Sequence, residues 1–538
     1  MKAFQVWFKE NPGHLKKPWL VLGKGPSFRH YDEYGDVDCF TLALNHVVQD
    51  ISVDLAHCID IEVIEHCGET ILKNARYLVM PWVPHVKGKR GLLYRTYFGP
   101  GSHTLADYCH SHPVLKSLAD QQRLLWYNLA SAPSKLTRKE QPVVDAKGFS
   151  ASAVVNLLAS VGVKQIRTLG IDGGNSYSEA FDKLRDVTLL PTRHQSFDLQ
   201  FRSISQTIFH CNINLEPLNM EAPIAVYVGT QPEQELATKV LEYSIRRNAS
   251  MAVRVEPLYE AVEKANIDIP TPVAKAQQPK TPFSFQRFAI PQLKNFQGRA
   301  IYLDSDMQVF QDIRKIWEMP FNGAEVLSVN ESKASGRRPQ FSVMLLDCGA
   351  LRWDPSDLIR GLDEGRWSYQ QLMYEMCAAE RVSDSIPACW NELERYHRDC
   401  TALTHYTEMN TQPWLSTQNL LGKIWCQELF DAIESEFIDK KLLQAHIDRG
   451  WVRPSLMYQL EHRIVDPLLL PGSVVRDDKN IFVPPHRTRA ITHKLTGFGQ
   501  QPNQLQQQAR KLYARSRQLI EASQLRPTLG RVKRKLLG

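Results

Sequence analysis

Arg299-Ala300-Ile301-Tyr302-Leu303-Asp304-Ser305-Asp306-Met307 is the stretch on which the reading of this chain turns. Its apolar run, rich in β-formers, predicts a short buried strand. The run ends in two carboxylates separated by one residue, and side chains at i and i+2 of an extended segment leave on the same face. Asp304 and Asp306 can therefore converge on one hard cation. An ion held there would neutralise a diphosphate, as a sugar-nucleotide donor requires. Asp-Ser-Asp is equally good turn chemistry, so the motif alone leaves a plain strand-to-turn junction open.

Two further segments frame it. Upstream lies Thr281-Pro-Phe-Ser-Phe-Gln-Arg287-Phe-Ala-Ile-Pro-Gln-Leu293, and downstream lies Leu403-Thr-His405-Tyr-Thr-Glu-Met-Asn-Thr-Gln412-Pro413-Trp414. Together with Asp304 and Asp306 they resemble glycosyltransferase family 8, retaining enzymes of the GT-A fold. The resemblance implies that Asp304, Asp306 and His405 hold Mn²⁺ or Mg²⁺, and that Arg287 contacts the donor or its phosphates. It places a nucleoside diphosphate sugar, a UDP-sugar by analogy, at the strand ends near Gly229 and Thr230, and Gln371 near the reacting carbon. Tyr369-Gln370-Gln371-Leu372 resembles the family's Asp-Gln-Asp, with Gln370 and Leu372 in place of its acids. Gln412 stands where the family carries a lysine, and the usual glycine after the histidine is missing; both bear on the diphosphate contact more than on the metal.

The first half reads as strands alternating with helical patterns, which predicts a parallel α/β sheet. Lys17-Pro-Trp-Leu-Val-Leu22 runs into Gly23-Lys24-Gly25-Pro26-Ser27, a turn whose backbone N–H groups could approach a phosphate. Cys39–Leu44 leads to Asn45, Arg76–Met80 is another strand, and Gln165–Leu169 runs into Gly170-Ile171-Asp172. Pro84–Gly101 reads as a loop or lid, and the region after it as less regular. These pieces resemble the family 42 sialyltransferases and, more loosely, pterin pyrophosphokinase-like nucleotide-binding domains. That resemblance implies nucleotide contacts from Gly23, Gly25, Ser27 and Asn45, and His194 as a general base.

Expected, then, is an α/β protein of two Rossmann-like domains, residues 1–220 and 221–499, the second a GT-A fold, followed by a basic amphipathic tail, 500–538. The tail carries nine Lys or Arg against the single acid Glu521, so the net charge of +7 resides there and the body is near neutral. Leu505, Leu512 and Leu519 recur every seven residues, which suits an apolar helical face at an anionic membrane surface. No apolar run approaches the roughly 20 residues of a membrane span, and Met1–Glu10 lacks a signal-peptide pattern. The ten cysteines are scattered with no Cys-x-x-Cys, which argues against a zinc site or disulfide framework. A cytoplasmic location is expected, peripheral at the inner face of the membrane.

The expected function is metal-dependent, retaining transfer of a hexose-type sugar from a nucleoside diphosphate sugar to a glycan or lipid-linked glycan. Nucleic acid is not an expected partner. Two other functions remain open: inverting transfer from a CMP-sugar by the first half through His194, alone or beside the second half, and a non-catalytic scaffold binding nucleotide sugars or glycan.

Overall fold

The computed structural model describes residues 1–34, 38–86, 103–145, 149–184, 196–218, 220–221, 223–279, 281, 283–329 and 341–487. His194, most of the Pro84–Gly101 loop and the 500–538 tail lie outside these residues.

Nine strands form the first sheet: β1 (Lys2–Ala3), β2 (Trp19–Leu22), β3 (Phe40–Leu44), β4 (Val53–His57), β5 (Ala75–Pro81), β6 (Leu124–Leu129), β7 (Val143–Val144), β8 (Gln165–Leu169) and β9 (Asn214–Pro217). Their order is β1-β6-β5-β4-β3-β2-β8-β9, with β7 added beside β6. Every pairing is parallel. Helices cover both faces, so the strands need apolar side chains in both directions. Leu20, Leu22, Ala43, Leu78 and Met80 pack on one side, and Trp19, Val21, Leu42, Leu44 and Val79 on the other. From β2 the chain winds outward to β6 and then returns to place β8 on the other side of β2. The switch point of the sheet therefore lies between the turns that follow β2 and β8.

Two elements differ from the sequence expectation. Leu124-Leu-Trp-Tyr-Asn-Leu129, inside the stretch read as less regular, is a fully buried strand. Glu216-Pro217, just before the boundary expected at residue 220, belongs to β9 at the sheet edge, where a proline removes no needed ladder bond.

The chain passes to a second sheet after Pro217. Its strands are β10 (Ile224–Gly229), β11 (Val253–Pro257), β12 (Arg299–Asp304), β14 (Val326–Val329), β15 (Val343–Asp347) and β16 (Val382–Ile386), in the order β11-β10-β12-β15-β14-β16. β10 pairs in parallel with β11 and β12, whereas β15 runs antiparallel to β12 and β14. A small third sheet sets β18 (Leu403–His405) between β13 (Met307–Val309) and β17 (Glu392–Leu393). The expected α/β class, with two Rossmann-like sheets, is what the chain adopts. The two halves touch through the helices Leu199–Cys211 and Glu235–Asn248, where Phe209 and Tyr243 meet edge-on at 5.4 Å.

Candidate metal centre

β12 is buried from Ala300 to Leu303 and emerges at Asp304, so its carboxyl end is held rigidly while its last side chain reaches the surface. The chain then passes through Ser305 and Asp306 into β13. There the antiparallel register pairs Met307 with His405, which brings a histidine about a hundred residues away beside Asp306. One ligand atom from each of Asp304, Asp306 and His405 lies within 4.8 Å of the others. No other group of this kind occurs among the described residues.

Each of the three is oriented by a neighbour. The Tyr302 hydroxyl donates to Asp304 Oδ1 at 2.6 Å and accepts from Arg287 Nη2 at 2.9 Å. Arg287, itself buried, also donates to the Phe341 carbonyl at 3.1 Å and stands 3.8 Å from Asp304 Oδ1. Gly229, opposite Asp304 in the β10–β12 register, makes this possible: a Cβ there would sit 2.3 Å from the Tyr302 hydroxyl. His405 donates Nδ1–H to Asn391 Oδ1 at 3.0 Å and Nε2–H to Asp306 Oδ1 at 3.1 Å. The Nε2 proton is the one an ion would displace, while Asn391 keeps the ring in place. The other Asp306 oxygen accepts from Gln412 Nε2 at 3.0 Å, and the same amide donates to the Tyr406 carbonyl at 3.0 Å.

The electrostatics agree with a cation site. Burial raises the Asp304 carboxyl above the usual range; Arg287 opposes this and Asp306 adds to it. Burial would hold His405 neutral, but Asp306 and Asp304 overcome it and raise its pKa above the ordinary histidine value. Two half-buried carboxylates side by side favour an added positive charge. Two carboxylate oxygens and one imidazole, with no thiolate, form a donor set open to a hard or borderline divalent ion.

The other expected residues fall as follows. Gly229 and Thr230 stand at the carboxyl end of β10, and Thr230 lines a cavity of about 260 Å³ with Glu235, Thr238, Lys239, Glu256 and Tyr259. Gln371 is exposed and closes a capping box with Ser368, its Oε1 accepting from the Ser368 N–H at 2.9 Å. Ser-x-x-Gln before a helix accounts for it without catalysis. Asn391, 14 residues before His405, is brought against it by the fold. Tyr302 and Gly229 act as a pair that no local motif signals.

In the first half the Gly23–Ser27 turn does meet the switch point, but its donors are engaged. Gly23 N–H donates to the Leu169 carbonyl and Gly25 N–H to the Gly170 carbonyl, both at 2.8 Å, and Ser27 N–H to Asp172 Oδ2 at 2.6 Å. Folded in this way, the turn does not offer those N–H groups to a phosphate. Asn45 adopts a left-handed backbone (φ 52°) and donates to Ser150 Oγ at 3.2 Å.

Residues 222–347 match the model of the family described as Glycosyl transferase family 8. The match takes in Gly229, Arg287, Asp304 and Asp306 and stops short of His405 and Gln412. Protein CDI of Arabidopsis thaliana is 26% identical over 232 residues, 38% of this chain and 86% of that protein. Among solved structures, the WbbM bifunctional glycosyltransferase is 14% identical with a TM-score of 0.28, over 40% of this chain and 51% of that one. The galactosyltransferase LgtC, solved with donor and acceptor sugar analogues, is 10% identical with a TM-score of 0.28, over 38% and 95%. GlyE of Streptococcus pneumoniae TIGR4 is 16% identical with a TM-score of 0.28, over 38% and 61%. The family match makes the chain an enzyme of the glycosyltransferase class, with the transferase segment in its second half. It does not extend to the family 42 resemblance of the first half.

Proposed function

We propose that the domain formed by residues 221–499 transfers a hexose-type sugar, with retention, from a nucleoside diphosphate sugar, a UDP-sugar by its family 8 resemblance, to a glycan or lipid-linked glycan. The observation that carries this reading is the convergence of Asp304, Asp306 and His405 at one strand end. These three would hold Mn²⁺ or Mg²⁺, and Asn391, Tyr302 and Gln412 hold the three in place. A bound divalent ion supplies Lewis-acid stabilisation of the departing diphosphate. One strand over, Thr230, next to Gly229, lines the cavity that would receive the nucleoside. Arg287 adds positive charge behind Asp304 while bracing Tyr302. Gln371 would have to leave its helix cap to approach the anomeric carbon. No nucleophile is assigned, and front-face attack needs none.

A donor panel tests the reading. The full chain should hydrolyse or transfer from one or more UDP-sugars, with product NMR showing the donor's anomeric configuration kept. Turnover of CMP-sialic acid alone would move the activity to the first half, and turnover of no donor would leave a scaffold. Among the described residues no helix is long and apolar enough to cross a membrane. The basic tail is proposed to meet an anionic membrane surface, each basic residue contributing on the order of 1 kcal/mol. Full-length protein should co-sediment with anionic liposomes at low salt, and failure to do so would remove that contact.

A further inference from the structure

Asp304 and Asp306 are held in a related way by residues that carry no charge of their own. The Tyr302 hydroxyl takes Asp304 Oδ1 at 2.6 Å, which leaves Oδ2 as the oxygen on offer. The Gln412 amide takes Asp306 Oδ2 at 3.0 Å, which leaves Oδ1, the oxygen that faces His405. Neither clamp is free to swing away. Tyr302 is fully buried between Arg287 and the backbone of Gly229, and Gln412 is buried with its amide shared between Asp306 and the Tyr406 carbonyl.

We infer that Tyr302 and Gln412 determine which ion this centre takes, by engaging one oxygen of each aspartate and so biasing each towards coordination through the other. The inference rests on the metal-dependent reading above. Ca²⁺ takes six to eight oxygens and commonly uses both oxygens of a carboxylate, whereas Mg²⁺ demands near-octahedral geometry with short bonds. Single oxygens from two carboxylates, with one imidazole, meet the smaller ions' needs and leave a calcium ion short of ligands. Gln412 also acquires a purpose here. A lysine reaching Asp306 from that position would set a cation against it in competition with the metal, whereas the amide holds the same oxygen without offsetting its charge.

The test is Mn²⁺ binding to the full-length protein followed by electron paramagnetic resonance, with Ca²⁺ as competitor, for the wild type, Tyr302→Phe and Gln412→Leu. The wild type should bind Mn²⁺ and yield it only to a large excess of Ca²⁺. Each variant should cut the ratio of Ca²⁺ to Mn²⁺ dissociation constants by roughly 10-fold, the scale on which partners of metal ligands act. An unchanged ratio in both variants overturns the inference, as does equal weakening of both ions, which would make the two residues mere structural supports. If Tyr302→Phe loses its near-ultraviolet circular dichroism, Gln412→Leu and Gln412→Ala decide. A wild type that binds no Mn²⁺ would instead refute the metal reading itself.

Discussion

Asp306→Asn is expected to lower sugar transfer by roughly 10³-fold, equivalent to about 4 kcal/mol of transition-state stabilisation, while the protein stays folded. The variant keeps the shape of the side chain and removes one charge. That charge matters because Asp306 is the hub of the centre: one oxygen meets His405, the other meets Gln412, and its carbonyl accepts from the Tyr406 N–H at 2.8 Å. Its backbone partners are untouched by the substitution, so the β13–β18 pairing should survive. His405→Ala removes a neutral ligand in place of a charged one, so its loss should be smaller and partly restored by excess Mn²⁺. Steady-state turnover and far-ultraviolet circular dichroism on the same samples check both expectations. Wild-type turnover in Asp306→Asn would contradict them.

The second large effect is on stability and comes from Arg453→Leu. Arg453 is fully buried, and its side chain donates to the Pro413 carbonyl at 2.9 Å, to Gln459 Oε1 at 2.5 Å and to Ser455 Oγ. Ser455 passes the contact to Asp478, which its backbone N–H also meets at 2.9 Å. Removing the guanidinium strands several buried acceptors at once and takes a nearby positive charge from Asp478, a loss of about 3–5 kcal/mol. The consequence reaches the metal centre because the side-chain bond to the Pro413 carbonyl is lost, leaving only the backbone bond from Arg453 N–H to the Trp414 carbonyl at 2.9 Å. Arg453 thus fastens the Gln412-Pro413-Trp414 segment from behind. The urea midpoint should fall, and Mn²⁺ affinity should fall with it in conditions where the variant remains folded. A midpoint within experimental error of the wild type would show that the segment is held by other means.

Much of the second half was readable because its decisive features are local. Arg299–Met307 carries strand propensity, burial pattern and both carboxylates in nine consecutive residues. In the first half Gln165–Leu169 is likewise a strand with the expected bounds. What the sequence concealed depends on distant partners. Leu124–Leu129 is a short apolar run, and such a run does not reveal its period or which sheet will receive it. The glycine turn after β2 has the composition of a phosphate cradle, yet its donors are taken by Leu169, Gly170 and Asp172, about 145 residues further on. Gln412 reads as a lost lysine and folds into a clamp on Asp306, since an amide's partner is set by tertiary placement. Gln371 shows the converse: a local capping box explains a residue that family resemblance assigns to the reaction.

The central claim, that a divalent ion at Asp304, Asp306 and His405 drives transfer, is tested most directly by stripping the full-length protein with EDTA and titrating Mn²⁺ back while following UDP-sugar turnover. Turnover should vanish on stripping and return with one Mn²⁺ per chain, in parallel with binding. Undiminished turnover in EDTA would contradict the claim.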